Sequence, residues 1–209
     1  MTTDIIAIDG PAGSGKSTVA RALAERLGWS MLDTGAMYRA VTVEVLRQGV
    51  DAGDGDAVTR IAQMCEIRTR PRVHINGLDV HDLIRSEEVN GAVSEVAANP
   101  GVREALVQRQ RFVAHEESGG LVVEGRDITT VVFPDARLRI YLTASLDERA
   151  RRRSEEGHES LTRRDHADSS RVSSPLRQAP DAHVLDTTGL GVDQVVEEII
   201  RCLENTTSS

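Results

Sequence analysis

The residues Gly10-Pro11-Ala12-Gly13-Ser14-Gly15-Lys16-Ser17 fit the pattern G-x-x-x-x-G-K-[ST], and Lys16 is the only lysine among 25 lysines and arginines. The chemistry open to such a segment is to grip phosphate. Its glycines let backbone N–H groups close around phosphate oxygens with no Cβ in the way. A helix starting there points the positive end of its dipole at the same spot. Lys16 then reaches the β- and γ-phosphates, and the Ser17 hydroxyl becomes a ligand for Mg2+. With Thr18 included, Gly10, Pro11, Ala12, Gly13, Ser14, Gly15, Lys16, Ser17 and Thr18 form the expected ATP-binding segment. The alternative is an ordinary glycine-rich turn. It leaves unexplained why one compact ammonium persists in a chain that otherwise uses arginine.

The motif needs a strand before it and a helix after it, and both are legible. Residues 4–9 are a short apolar run suited to a buried parallel strand, and 18–27 have the spacing of an amphipathic helix. Further strands are expected at 29–33, 121–124, 138–142 and 183–186, and helices at 36–48, 57–65, 86–98, 101–117 and 192–203. Ser145 with Glu148 reads as a capping box. Arginines crowd 149–153, and a polar stretch runs on to residue 174. Strands alternating with helices predict an α/β fold with a five-stranded parallel sheet in three layers. Ligands of such sheets lie at the carboxyl ends of the strands. Asp9-Gly10, Asp33-Thr34 and Glu124-Gly125-Arg126-Asp127 all fall there. Asn76-Gly77 between two short apolar runs at 72–80 marks a hairpin with a type I′ turn. A hairpin interrupts the strand–helix alternation, so it belongs to an inserted lobe.

Composition narrows the classes. The 209 residues carry a net charge of −8, which argues against a nucleic-acid polymer as partner. Only 2% are aromatic, so the core must be Val, Leu, Ile and Ala. Cys65 and Cys202 stand far apart, suggesting a reducing compartment without a disulfide or zinc framework. The first residues lack a basic leader, and no apolar run approaches the ~20 residues of a membrane helix. A cytoplasmic protein with no membrane partner is expected. A guanine-reading Asn-Lys-x-Asp motif cannot exist without a second lysine, and the chain is short for a motor ATPase. Small kinases remain. A hydroxyl acceptor needs a carboxylate base, which Asp33 or Asp127 could supply. A phosphate acceptor already offers an anionic oxygen and needs positive charge instead. The many arginines favour phosphate, since planar guanidinium suits its oxygens. A nucleotide-binding regulator without turnover is the reading from another class, and it has no use for a second phosphate clamp.

Four segments together carry a resemblance. They are Asp33-Thr34-Gly35-Ala36-Met37-Tyr38-Arg39, Glu124-Gly125-Arg126-Asp127-Ile128, Val131-Val132-Phe133-Pro134-Asp135-Ala136, and Arg164-Asp165-x-x-Asp168-x-x-Arg171. The chain resembles bacterial-type cytidylate kinases, which belong to the P-loop nucleoside monophosphate kinases, over nearly its whole length. The resemblance implies transfer of the ATP γ-phosphoryl group to CMP or dCMP by a monomer with Mg2+. It implies a core (1–35, 87–148 and 172–209), a monophosphate-binding lobe (36–86, with contacts reaching about 103) and a lid (149–171). Ser94, Arg103 and Asp127 then match residues that contact cytosine, and Arg39, Arg126 and Arg164 those that clamp the monophosphate. Asp168 and Arg171 match residues on the ribose, while Thr34 and Tyr38 complete the acceptor set. Arg152 and Arg153 match lid residues reaching the donor phosphates, so that Lys16, Arg126, Arg152 and Arg153 form the catalytic group. Glu124 is expected to hold a Mg2+-bound water or else to cap a helix, and Asp9 to brace the loop. Arg39 and part of the 149–153 run could instead be solvated helix faces, Ser94 a plain surface serine, and Arg103 a partner of Glu104. Three departures stand out. Thr129 replaces the family's usual glycine, Ala167 and Ser169 thin the lid's charge, and the stretch between Arg153 and Arg164 is short.

Overall fold

The computed structural model describes residues 3–153, 158–171 and 174–207, apart from the side chains of residues 160, 164 and 207. The chain falls into two compact units, Met1–Leu32 with Val113–Ser209, and Asp33–Phe112. The second is wider than a lobe of 36–86, because two helices beyond residue 86 begin within it.

The first unit is built on a five-stranded sheet. β1 (Ile5–Asp9), β2 (Ser30–Asp33), β6 (Leu121–Gly125), β7 (Leu138–Thr143) and β8 (His183–Asp186) lie in the order β2-β6-β1-β7-β8. β1 pairs in parallel with both neighbours, Asp9 opposite Gly125 on one side and Tyr141 on the other. β6 is buried along its whole length, which explains why Leu-Val-Val-Glu-Gly shows no alternation. β7 alternates buried and half-buried residues. Helices α1 (Lys16–Leu27) and α8 (Val192–Thr207) pack Leu23, Val195, Ile199 and Leu203 against Ile6, Ile8, Ile140 and Leu142. The aromatic-poor core is therefore aliphatic, as the composition required. Near the end of this unit lie α6 (Leu146–Arg152) and α7 (His158–Ser169).

The second unit centres on α2 (Thr34–Arg47), which packs against α3 (Gly55–Met64) and α4 (Glu87–Ala98), with α5 (Pro100–Glu116) following. Asp33, Asp54 and Ser86 cap α2, α3 and α4 by accepting from Ala36 N, Ala57 N and Val89 N. β3 (Ile67–Arg68), β4 (His74–Ile75) and β5 (Leu78–Asp79) form a small antiparallel sheet. Asn76 at φ 50° and Gly77 at φ 79° make the expected type I′ turn.

Besides the short helical turns at Leu83–Arg85 and Ile128–Val132, two elements differ from the sequence expectation. α7 is a helix where only a polar stretch was legible. Its one fully buried apolar side chain is Leu161, and the rest of its hold comes from Asp165 and Asp168 pairing with arginines. β3 adds a third strand to the hairpin, and two residues are too few to show a period.

Candidate active site

Backbone geometry builds the phosphate loop. Gly10 has φ 151°, and a Cβ there would run into the Leu142 carbonyl oxygen. Gly13 has φ 79°, and a Cβ would come within 2.9 Å of the Arg149 Cβ. Both positions demand glycine, one for close approach and one for left-handed backbone as well. α1 begins at Lys16, so its first N–H groups face into the loop.

Lys16 is buried, and its ammonium donates to the Pro11 carbonyl at 2.7 Å and to Ser14 Oγ at 3.4 Å. Burial pulls its pKa down to about 7, with Arg126 and Arg153 adding repulsion while Glu124 and Asp9 oppose the shift. Such a lysine gains most when an anion arrives. Ser17 donates its hydroxyl to Glu124 Oε1 at 2.7 Å, and Glu124 is itself buried at the end of β6. A hydroxyl and a carboxylate are hard oxygen donors of the kind Mg2+ accepts. Among the described residues no group of three or more His, Cys, Asp or Glu could hold a metal.

Several arginines of the first unit are held by carboxylates. Arg126 Nε donates to Asp168 Oδ2 at 2.7 Å and its Nη1 to the Gly10 carbonyl at 3.2 Å, while Arg171 reaches the other Asp168 oxygen. Burial opposes the charge of Arg126, but Asp168, Glu124 and Asp165 outweigh it and raise the pKa. Arg149 donates to the Ala12 carbonyl and pairs with Asp165. Arg152 is held by Glu148 and by the hydroxyl and carbonyl of Thr187. Thr187 in turn donates to the carbonyl of Ser14 in the phosphate loop, at 3.1 Å. Arg151 is 73% exposed and pairs with Glu148, a solvated helix-face residue as one of the readings of this run allowed. The Arg164 side chain lies outside the described residues.

Asp127 is buried just past β6, at the start of a π-helical turn spanning Ile128–Val132. Asp9, wholly buried, accepts from the N–H groups of Ile128 and Thr129 and from the Thr129 hydroxyl. It therefore braces this turn rather than the phosphate loop. Burial pushes the Asp9 pKa up to about 6 against those three donors. Thr129, the departure from the family's pattern, puts its extra hydroxyl to use here.

In the second unit, Arg103 is buried over the Tyr38 ring, 5.4 Å from its centroid, and donates to the Ala97 carbonyl. Arg39 donates to the Ile84 carbonyl and to Asn90 Oδ1, so it is not a solvated face residue. Thr34 is buried at the first position of α2, and Ser94 is half-buried on α4. Sequence reasoning missed Thr187 and the latch that Arg149 makes with Ala12 and with Asp165, a residue it had quoted in a motif without a role. Asp186-Thr187-Thr188 just past a predicted strand end was the available signal for Thr187. The latch shows only once α6 and α7 are paired.

A glycine-built phosphate loop between the first strand and helix of a parallel sheet, with lysine and serine opening the helix, defines a P-loop nucleotide-binding protein. Solved structures share the fold. TT1252 from Thermus thermophilus aligns with TM-score 0.54 and 21% identity over 98% of each chain. A shikimate kinase from Acinetobacter baumannii aligns with TM-score 0.52 and 16% identity over 98% of this chain and 94% of that one. Sequence is more specific. The profile of the family described as cytidylate kinase matches residues 6–205, and the chain belongs to that family. A cytidylate kinase of Geobacillus kaustophilus is 50% identical over 93% of this chain and 94% of its own. One from Solibacter usitatus is 44% identical over 96% and 92%. The chain is thus a nucleoside monophosphate kinase. Among the described residues, no helix is long and apolar enough to cross a membrane.

Proposed function

We infer that this protein transfers the γ-phosphoryl group of ATP to CMP or dCMP, giving CDP or dCDP and ADP. The observation that carries the reading is a second guanidinium site in addition to the phosphate loop, Arg126 oriented by the buried Asp168, with Arg171 on the same carboxylate adding positive charge beside it. One phosphate loop serves any nucleotide-binding protein. A further set of guanidinium groups suits an acceptor that is itself a phosphate.

The loop residues Gly10 to Thr18 hold the donor phosphates, with Lys16 on the transferring group. Ser17 would hold Mg2+ directly and Glu124 would hold one of its waters. When bound, the ion neutralises charge on the donor phosphates. No general base is required, because the acceptor oxygen is already anionic at neutral pH. What this chain supplies is position and positive charge: Arg126 on the acceptor phosphate, with Arg152 and Arg153 on the donor side. Asp168 and Arg171 hold the ribose. Asp127 accepts from the cytosine amino group, Arg103 and Ser94 read its other polar edge, and Thr34, Tyr38 and Arg39 complete the acceptor contacts. Arg164 joins the phosphate clamp on the strength of the family resemblance. Uracil inverts part of the cytosine pattern and leaves a buried polar group unpaired, which is a strong basis for rejection. Residues 149–171 act as the lid, and the protein works as a cytoplasmic monomer.

A coupled assay of ADP release with CMP, dCMP, UMP, AMP and shikimate as acceptors tests this. Turnover should be highest with the two cytosine nucleotides. Preference for UMP, AMP or shikimate would overturn the assignment.

A further inference from the structure

Asp9 has no place among the groups that touch phosphate, metal or base, yet it is a wholly buried carboxylate. It accepts from Ile128 N at 2.9 Å, Thr129 N at 2.7 Å and Thr129 Oγ1 at 2.7 Å. The first N–H groups of any helical turn lack partners within the turn. An Asp in the capping position ordinarily takes them with its own side chain. Asp127 occupies that position here and makes no side-chain cap. Its carbonyl accepts from Val131 N and Val132 N, so its backbone opens the turn while its carboxylate is not drawn onto it. The cap comes instead from Asp9, at the end of a neighbouring strand.

We propose that Asp9 and Thr129 are positioning residues for Asp127: Asp9 takes the Thr129 N–H that the Asp127 side chain would otherwise cap, together with the Ile128 N–H beside it, and the Thr129 hydroxyl holds the Asp9 carboxylate in that orientation. Residue 127 is thereby anchored through the two amides that follow it, and its carboxylate keeps the direction needed to read a base. The proposal rests on the assignment of Asp127 to cytosine. It predicts that selectivity for the acceptor depends on a hydroxyl two residues away from the group that does the reading. Burial disfavours the charge on Asp9, so each of the three donors matters to keeping it in place.

The test uses Thr129→Val, which keeps the shape and removes the hydroxyl, Thr129→Ser, which restores the hydroxyl, and Asp127→Ala as the reference. For each, KM and kcat are measured for CMP, UMP and ATP, together with affinity for an ATP analogue. Thr129→Val should raise KM for CMP by about tenfold, the effect of one hydrogen bond to a charged group. It should narrow the CMP-to-UMP preference and leave ATP-analogue affinity unchanged, and Thr129→Ser should recover most of the loss. If Thr129→Val matches the parent while Asp127→Ala loses selectivity, the positioning role is wrong and the cytosine assignment stands. If Asp127→Ala itself keeps parental selectivity, the cytosine assignment fails first. Equal loss of ATP and CMP affinity in Thr129→Val would show a merely structural role and overturn the proposal. Should the valine variant not fold, Thr129→Ala is measured against the same outcomes.

Discussion

The phosphate loop and the arginine-rich segment that follows β7 both present positive charge, but they are held in opposite ways. The loop is made by backbone: Gly10 and Gly13 take conformations or approaches closed to other residues, and α1 fixes the amides that follow. The segment is made by side chains. Arg149 is held by Asp165, Arg152 by Glu148 and Thr187, and Arg171 shares Asp168 with Arg126. A backbone cradle is ready before ligand arrives and costs nothing to reorganise when it does. Arginines oriented by carboxylates depend on side-chain partners for their position, and a guanidinium has five N–H donors, more than one carboxylate pair takes up. The difference suggests a division of labour. On the proposed reading of 149–171 as a lid, the loop supplies preorganised binding and the segment brings further positive charge to the substrate on closure.

The largest effect should come from the loop. Lys16→Ala is expected to cut turnover by roughly 10²–10³, the usual result of losing one preorganised donor at developing charge, while CMP affinity stays near parental. Single-turnover transfer with titrated CMP measures both. Turnover within a few-fold of the parent would place the burden on the arginines instead. Next is Arg126→Lys. It keeps the charge but cannot fork two oxygens, so kcat/KM for CMP should drop by about 10- to 100-fold, in line with the loss of one charge-assisted bond. Parental kinetics would mean that a point charge suffices and that the paired geometry is incidental.

Closure itself is measured by amide hydrogen exchange over 158–171 with and without a bisubstrate analogue. At ligand near 100 times its Kd, linkage allows up to about 2.7 kcal/mol of added protection. Protection equal in both states would make this segment a fixed part of its unit. Gly13→Ala probes where the two regions meet, since the added methyl points at Arg149 and the backbone is left-handed. A loss of about 1–2 kcal/mol in urea unfolding is expected from the backbone term alone. An unchanged midpoint would show that Arg149 yields readily. Smallest of all should be Arg151→Ala. Its pair with Glu148 is exposed, and removal should change stability and kinetics by no more than about 0.5 kcal/mol. A larger change would move Arg151 from the helix surface into the working set.

Much of the chain was readable from local pattern. The loop motif, the apolar runs of β1, β6 and β7, the Asn76-Gly77 turn and the capping residue Ser145 depend on neighbours in sequence, so their chemistry is written locally. The second and third turns of α7 were not readable. Their stabilising partners, Arg149 for Asp165 and Arg126 for Asp168, are 16 and 42 residues away. The same holds for Thr187, whose hydroxyl joins Arg152 to the Ser14 carbonyl across 173 residues.

The sequence by itself determined a phosphate-gripping motif at Gly10–Ser17 and a parallel α/β fold around it, because both follow from residue type, spacing and period. Only the tertiary structure decided how charge is distributed around that loop. Parallel pairing of β1 with β6 brings Asp9 beside Gly125, so Asp9, which the sequence left as a loop brace, became the cap of the Ile128–Val132 turn. Packing of α1 beside β6 set Ser17 against Glu124 and, with burial, drew the Lys16 ammonium down to about 7. Desolvation and long-range hydrogen bonds are properties of what surrounds a residue, and no local pattern contains them.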